Sequence, residues 1–210
     1  MSDLVIYGNP FSTYTRTARM ACDEKGVGYA LEPVDFHAPA FRAVHPFGKI
    51  PALRHGDVML YETLAICRYV DEAFDGPSLQ PAEVTEMARM YQWVIAALDY
   101  FYPVMVEKLV MERLVAPMKG EAADETVVAA ALPDLAQRLG VLNDALIDKS
   151  YLAGNMASLA DLFLYPILFY VNFIPEGRDA LEKAPAVTTW LATMGERASA
   201  QATMPPVDKL

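Results

Sequence analysis

Over the first eighty residues the hydrophobic pattern alternates between two periods. Leu4 to Tyr7 is a short apolar strand, and Thr15 to Lys25 carries Ala18, Ala21 and Cys22 at helical spacing before ending at Gly26. Tyr29 to Val34 returns to strand character, which completes a βαβ unit. After a stretch marked by Pro39 and Pro46, the runs Pro51 to Arg54 and Val58 to Tyr61 flank His55-Gly56-Asp57, a tight turn suited to an antiparallel hairpin. A helix is expected from Thr63 to Phe74. The order β-α-β-α-β-β-α predicts a small mixed sheet with helices on both faces.

From Glu83 onward strand signals nearly vanish. Helical spacing covers Glu86 to Val115, with Pro103 as a kink, then Thr126 to Leu146, Leu159 to Val171 and Val187 to Ala198. The two regimes meet at Asp75-Gly76-Pro77-Ser78-Leu79-Gln80-Pro81, where two prolines and a glycine mark a connection. The reading is therefore a domain over 1–76, a linker over 77–85 and an all-helical domain over 86–210. The apolar stretch Leu162 to Pro175 is too short to span a bilayer and reads as a buried core helix.

Composition narrows the function classes. The chain has 210 residues, 54% of them hydrophobic, which suits a compact soluble protein rather than a disordered one. A formal net charge of -10 argues against nucleic acid and against anionic membranes, because phosphate contact needs a local excess of Lys and Arg. The start MSDLVIYGN lacks a basic region ahead of an apolar run, so a cytoplasmic location is expected. Cys22 and Cys67 stand apart without histidines in a ligand pattern, which removes zinc and dithiol chemistry from the leading hypotheses.

Four segments carry the chemistry. They are Asn9-Pro10-Phe11-Ser12-Thr13-Tyr14-Thr15-Arg16, His45-Pro46-Phe47-Gly48-Lys49-Ile50-Pro51-Ala52-Leu53, Tyr61-Glu62-Thr63-Leu64-Ala65-Ile66, and Tyr151-Leu152-Ala153-Gly154 with Ser158-Leu159-Ala160-Asp161. Together, in this order and spacing over essentially the whole chain, they resemble cytosolic glutathione transferases. The Ser12, Thr15 and Arg16 pattern is similar to serine-type members, phi- and theta-like, of bacterial type. The resemblance implies a thioredoxin-like βαβαββα domain followed by a helical domain, glutathione as co-substrate, no metal, and a homodimer.

Ser12 lies between a predicted strand and the start of a helix, where the helix end carries partial positive charge. A thiolate would be stabilised there, since a free thiol with a pKa of about 8.5 is mostly protonated at neutral pH. Helix capping would equally account for Ser12 or Thr13. Tyr14 is a second donor candidate. The resemblance implies a cis peptide before Pro51, which leaves the Ile50 backbone to pair with the cysteinyl part of glutathione, as in strand addition. It also brings Lys49 to the glycine carboxylate, Thr63 to the γ-glutamyl carboxylate and Glu62 to the α-amino group, with Phe11 beside them. His37 is a further candidate for the glycine carboxylate, and His45 is the other imidazole near these motifs. Ordinary turn and cap roles would suit Lys49, Glu62 and Thr63 too. Ser158 and Asp161 form a capping box and are structural.

The pocket for a small hydrophobic electrophile is expected between the domains, with walls from Phe11, Tyr14, Tyr100, Phe101, Met105 and Met111. Methionine at helical spacing also suits plain core. The leading hypothesis is a transferase in which Ser12 stabilises the glutathione thiolate for attack on that electrophile. A carrier or interaction protein on the same fold is the alternative, because fold does not fix function. A cysteine-dependent thiol reductase ranks last.

Overall fold

In the computed structural model, which describes residues 3–207, the apolar run Leu4–Tyr7 forms strand β1 at the centre of a four-stranded sheet of order β2-β1-β3-β4. Strand β2 (Ala30–Glu32) runs parallel to β1, with Ile6 opposite Leu31. Strand β3 (Ala52–His55) runs antiparallel to β1, with Tyr7 opposite Ala52, and pairs in turn with β4 (Val58–Tyr61). The hairpin between them closes over Gly56-Asp57, and Gly56 takes the left-handed φ of 55° that such a short turn requires. Leu4, Val5 and Ile6 are all buried, as an interior strand with both faces covered demands.

Helix α1 (Thr13–Lys25) follows β1 and packs against α2 (Thr63–Ala73). The second helix expected from the pattern, between β2 and β3, is instead a short 3₁₀ stretch, Pro39–Ala43. Pro39 is tolerated at its first turn, but Pro46 and the left-handed Gly48 follow too soon for an α-helical ladder to extend.

The described residues divide into two units, the chain up to Gln80 with Arg197–Val207, and Pro81–Glu196. The sequence reading assigned all of 86–210 to the helices, whereas the segment from Arg197 lies with the sheet. The reason is electrostatic. Arg16, almost fully buried on α1, donates to Ala200 O at 3.0 Å, and Arg19 reaches Ala202 O at 3.4 Å and Thr203 O at 3.5 Å. These guanidinium groups satisfy carbonyls at the end of α10 (Ala198–Ala202), where a cation is favoured. Arg197 returns the contact with a two-pronged bond to Glu24, at 2.7 and 2.6 Å.

At its other end, α1 holds the connection between the two regimes. Lys25 forms a buried ion pair with Asp71 of α2 at 3.2 Å and donates to Gly76 O at 3.3 Å. Asp71 also accepts from Leu79 N at 2.9 Å and from Gln80 Nε2 at 3.0 Å. Gly76 passes so close that an added Cβ would lie 2.7 Å from Lys25 O, and its φ of 130° excludes most other residues.

The helical unit begins with α3 (Val84–Ala96), which continues without a break through a π-helical stretch Ala97–Phe101, α4 (Tyr102–Val104), a second π-helical stretch Met105–Val115 and α5 (Ala116–Met118). Pro103 therefore widens the helix instead of kinking it apart. It has no N–H for the carbonyl four residues back, and the Tyr102 N–H reaches five back to Ala97 O. Helices α6 (Glu125–Leu146), α7 (Leu159–Val171), α8 (Pro175–Leu181) and α9 (Pro185–Gly195) complete the unit. The pattern did not foresee α8 or α10, each too short to display a period. Every residue from Leu159 to Leu168 is buried, so α7 is the core helix expected from the apolar stretch. Its Asp161 is sealed among donors: Ser158 N at 2.9 Å, Ser158 Oγ at 3.0 Å, Leu152 N at 3.1 Å and Trp190 Nε1 at 2.9 Å. Among the described residues no helix is long and apolar enough to cross a membrane.

Removing one partner of the sealed Lys25–Asp71 pair strands a buried charge. Asp71→Ala is expected to lower stability by about 3–5 kcal/mol in denaturant unfolding, whereas Glu72→Ala, which breaks an exposed pair with Arg68, changes it by less than about 0.5 kcal/mol. Equal effects of the two would show that the buried pair does not anchor the linker.

Candidate active site

Ser12 is the N-cap of α1, with extended backbone (φ −70°, ψ 127°), and its Oγ accepts from Thr15 N at 3.2 Å. The chain arrives there through a turn in which Asn9 Oδ1 accepts from Phe11 N at 2.9 Å and Asn9 O accepts from Ser12 N at 3.0 Å. Capping and donation do not compete in this geometry. Capping uses a lone pair of the hydroxyl oxygen, and the O–H is a separate donor. An oxygen that already accepts a bond makes its own hydrogen a stronger donor. Phe11 and Tyr14 flank Ser12 and are half-buried.

The segment before β3 carries the next candidates. Gly48 takes a left-handed φ of 62°, which turns the chain so that Lys49 is exposed and Ile50 half-buried. The Ile50–Pro51 peptide bond is cis, as the resemblance implies. Beyond β4, Glu62 has φ 69° and ψ 118°, a left-handed conformation costly for a residue with a side chain, and Thr63 is buried at the start of α2. Strain of this kind, on the order of 1–3 kcal/mol, persists where neighbouring structure enforces it and is often found at ligand clamps.

His45 links the Lys49 segment to Glu62, and this was not legible in the sequence. It is buried, its Nδ1 accepts from Phe47 N at 3.3 Å, and its ring lies 5.0 Å from that of Tyr61, the residue before Glu62. Burial lowers its pKa; the charge of Glu62 opposes that shift and the charge of Lys49 adds to it. Lys49 and Glu62 thus both act on one imidazole, so the cationic and anionic candidates belong to one electrostatic neighbourhood. His37, by contrast, is exposed, with its ring tilted against that of Phe36 at a centroid distance of 4.2 Å.

The remaining candidates divide by burial. Tyr100 and Met111 are exposed on the helical unit, at 58% and 40%. Phe101 and Met105 are core residues, with Phe101 packed edge-on against Trp93. Arg16 of the Ser12 motif is buried and ties α1 to the C-terminal segment. Both cysteines are buried and free of disulfides. Burial, with the charge of Asp23, pushes the Cys22 thiol up to about 12 and raises Cys67 well above the ordinary range, so neither is a nucleophile at neutral pH. Among the described residues no group of three or more His, Cys, Asp or Glu side chains could hold a metal ion.

Residues 6–78 match the family model described as glutathione S-transferase, N-terminal domain, and residues 95–198 match that of the C-terminal domain. Glutathione S-transferase 3 of Zea mays is 33% identical over 97% of this chain and 94% of its own length. The chain belongs to the glutathione S-transferase family. Glutathione S-transferase F10 of Arabidopsis thaliana is 34% identical, covering 93% of this chain and 94% of its own. Among solved structures, glutathione S-transferase I from maize in complex with an atrazine glutathione conjugate superposes with a TM-score of 0.87 at 28% identity, over 98% of this chain and 99% of that one. As a glutathione S-transferase, the chain is a transferase enzyme with a thioredoxin-like first domain.

Two outcomes follow from these pKa directions. Unfolded, His45 takes up a proton near pH 6.5 that the folded protein resists, so its contribution to stability is full above about pH 6.5 and falls as pH drops below it. Between about pH 7.5 and 5.5 the melting temperature of the wild type should therefore fall further than that of His45→Asn; parallel falls would exclude this coupling. Iodoacetamide at neutral pH should leave Cys22 and Cys67 of the native protein unlabelled by mass spectrometry and label both after unfolding. Labelling of either in the native state would revive cysteine chemistry.

Proposed function

We propose that the protein is a serine-type, phi-like transferase in which the Ser12 hydroxyl donates to the glutathione thiolate, which then attacks a small hydrophobic electrophile. The carrying observation is the geometry of Ser12: its Oγ accepts from Thr15 N at the start of α1, and its O–H remains a donor at the positive end of a 13-residue helix. Hydrogen bonding and the helix end both favour the charged form of a sulfur there, so more of it is nucleophilic at neutral pH. The catalytic contributions are positioning and thiolate stabilisation.

Glutathione fits the surrounding groups by charge. Its γ-glutamyl carboxylate goes to Thr63, its α-amino group to Glu62, its cysteinyl backbone to Ile50 next to Pro51, and its glycine carboxylate to Lys49, with Phe11 alongside. The strained Glu62 backbone and the shared influence of Lys49 and Glu62 on His45 support this assignment. For the electrophile, the exposed Tyr100 and Met111 offer apolar contact surface on the helical unit, where Phe101 and Met105 are core residues; on the first unit Tyr14 is half-buried two residues after Ser12. A homodimer and a cytoplasmic location, both consistent with the family, complete the proposal.

Ultraviolet absorbance of the bound thiolate, titrated against pH, tests the central step. Wild type should give a thiol pKa well below the solution value of about 8.5 for a cysteine thiol, and Ser12→Ala should return it toward that value. An unshifted pKa in the wild type would make Ser12 a helix cap alone and bring forward the carrier reading.

A further inference from the structure

The π-helical turn at Tyr100 is held from outside its own helix. Arg138, on α6, donates from Nε to Tyr100 O at 2.8 Å. Its Nη1 is anchored on α6 itself, to Asp134 O at 3.0 Å and Asp134 Oδ1 at 2.9 Å, so the fork is aimed across at the turn. A carbonyl inside a helix is ordinarily spent on the N–H four residues on, and a side chain inserted at such a carbonyl is one of the few identifiable causes of local helix distortion. Here the insertion occurs three residues before Pro103, which supplies no N–H at all.

The distortion decides where the side chains point. In a π turn each residue advances around the axis by less than the 100° of an α-helix, so the direction of Tyr100 relative to Phe101 depends on keeping the turn wide. Phe101 is fixed in the core against Trp93, while Tyr100 stands 58% exposed. Tyr100 is thus an exposed aromatic ring on a turn pinned by a charged donor. The Arg138–Asp134 pair is partly exposed, at 19% and 43%, and such surface pairs add little to stability.

We propose that Arg138 is a positioning residue for acceptor selection, which clamps the Tyr100 turn and thereby sets the direction of Tyr100 toward hydrophobic electrophiles. The inference rests on the acceptor role given above to Tyr100, and it makes no demand on Ser12. It predicts that loosening the turn changes which electrophile is preferred, while glutathione binding and the thiol pKa stay as they are. Pro103 acts on the same turn from within, so its effect and that of Arg138 should not add.

The test compares wild type with Arg138→Gln, Arg138→Lys and Pro103→Ala, with melting temperatures as the control for folding. Two acceptors of different length, chlorodinitrobenzene and phenethyl isothiocyanate, give a ratio of kcat/KM values. Affinity for S-hexylglutathione relative to glutathione gives a second ratio that needs no turnover. At least one ratio should shift about fivefold in Arg138→Gln, the scale of one lost hydrogen bond, with partial return in Arg138→Lys, which keeps a single donor. Pro103→Ala should shift the same ratio, and the double variant no further. Unchanged ratios, or equal losses for both acceptors and both ligands, would overturn the proposal. The bound thiol pKa in Arg138→Gln reads the Ser12 step separately, so a failure of that step is seen there and in the wild type, not in the ratios.

Discussion

A lysine and an aspartate sealed from water stand at the end of helix α1, and much of the first unit depends on that pair. An isolated charge in such a place would be ruinous, so Lys25 and Asp71 constrain each other and everything that bonds to them. The segment from Gly76 to Gln80 is fastened there, and α1 is locked to α2. The opposite end of the same helix carries Ser12. In the proposed mechanism Ser12 meets a sulfur within hydrogen-bonding distance, which tolerates little drift, and α1 is denied drift by ionic ties at its C-terminal end and arginine ties along its length.

Strands and long helices were legible in the sequence where the period of burial is local. Leu4–Tyr7, the hairpin around Gly56 and the helix opening at Thr63 each follow from near neighbours in the chain, and they lie where the pattern puts them. The second helix of the pattern failed because prolines and a left-handed glycine outweigh apolar spacing between residues 39 and 48. In the site, the residue types of Ser12, Glu62 and Thr63 were readable, but both cap and ligand roles suit them. The neighbourhood shared by Lys49 and Glu62 centres on His45, whose ring packs with Tyr61 and Phe47, sequence-distant and nearby partners alike. The role of Arg16 was not legible either: the sequence shows it only as part of the Ser12 pattern, and its carbonyl partner lies 184 residues away.

The helical unit shows how a proline can shape a helix without ending it. The pattern marked Pro103 as a kink, yet the chain stays helical from Val84 to Met118 because the ladder shifts to bonds five residues apart on either side. Apolar periodicity cannot register this, since it counts positions at one fixed pitch. The effect is to separate two tasks along one helix. Phe101 and Met105 belong to the core, and Tyr100 and Met111 to the surface.

The segment from Arg197 to Val207 has a consequence for the order in which the chain becomes a protein. The sheet and its two helices are composed of residues that leave the ribosome before the helical unit, but Arg16 and Arg19 find their carbonyl partners only in turns made after it. The helices between them must therefore emerge before the first unit has all its parts. Synthesis proceeds from one end to the other, whereas this unit is finished only after the unit inserted within it.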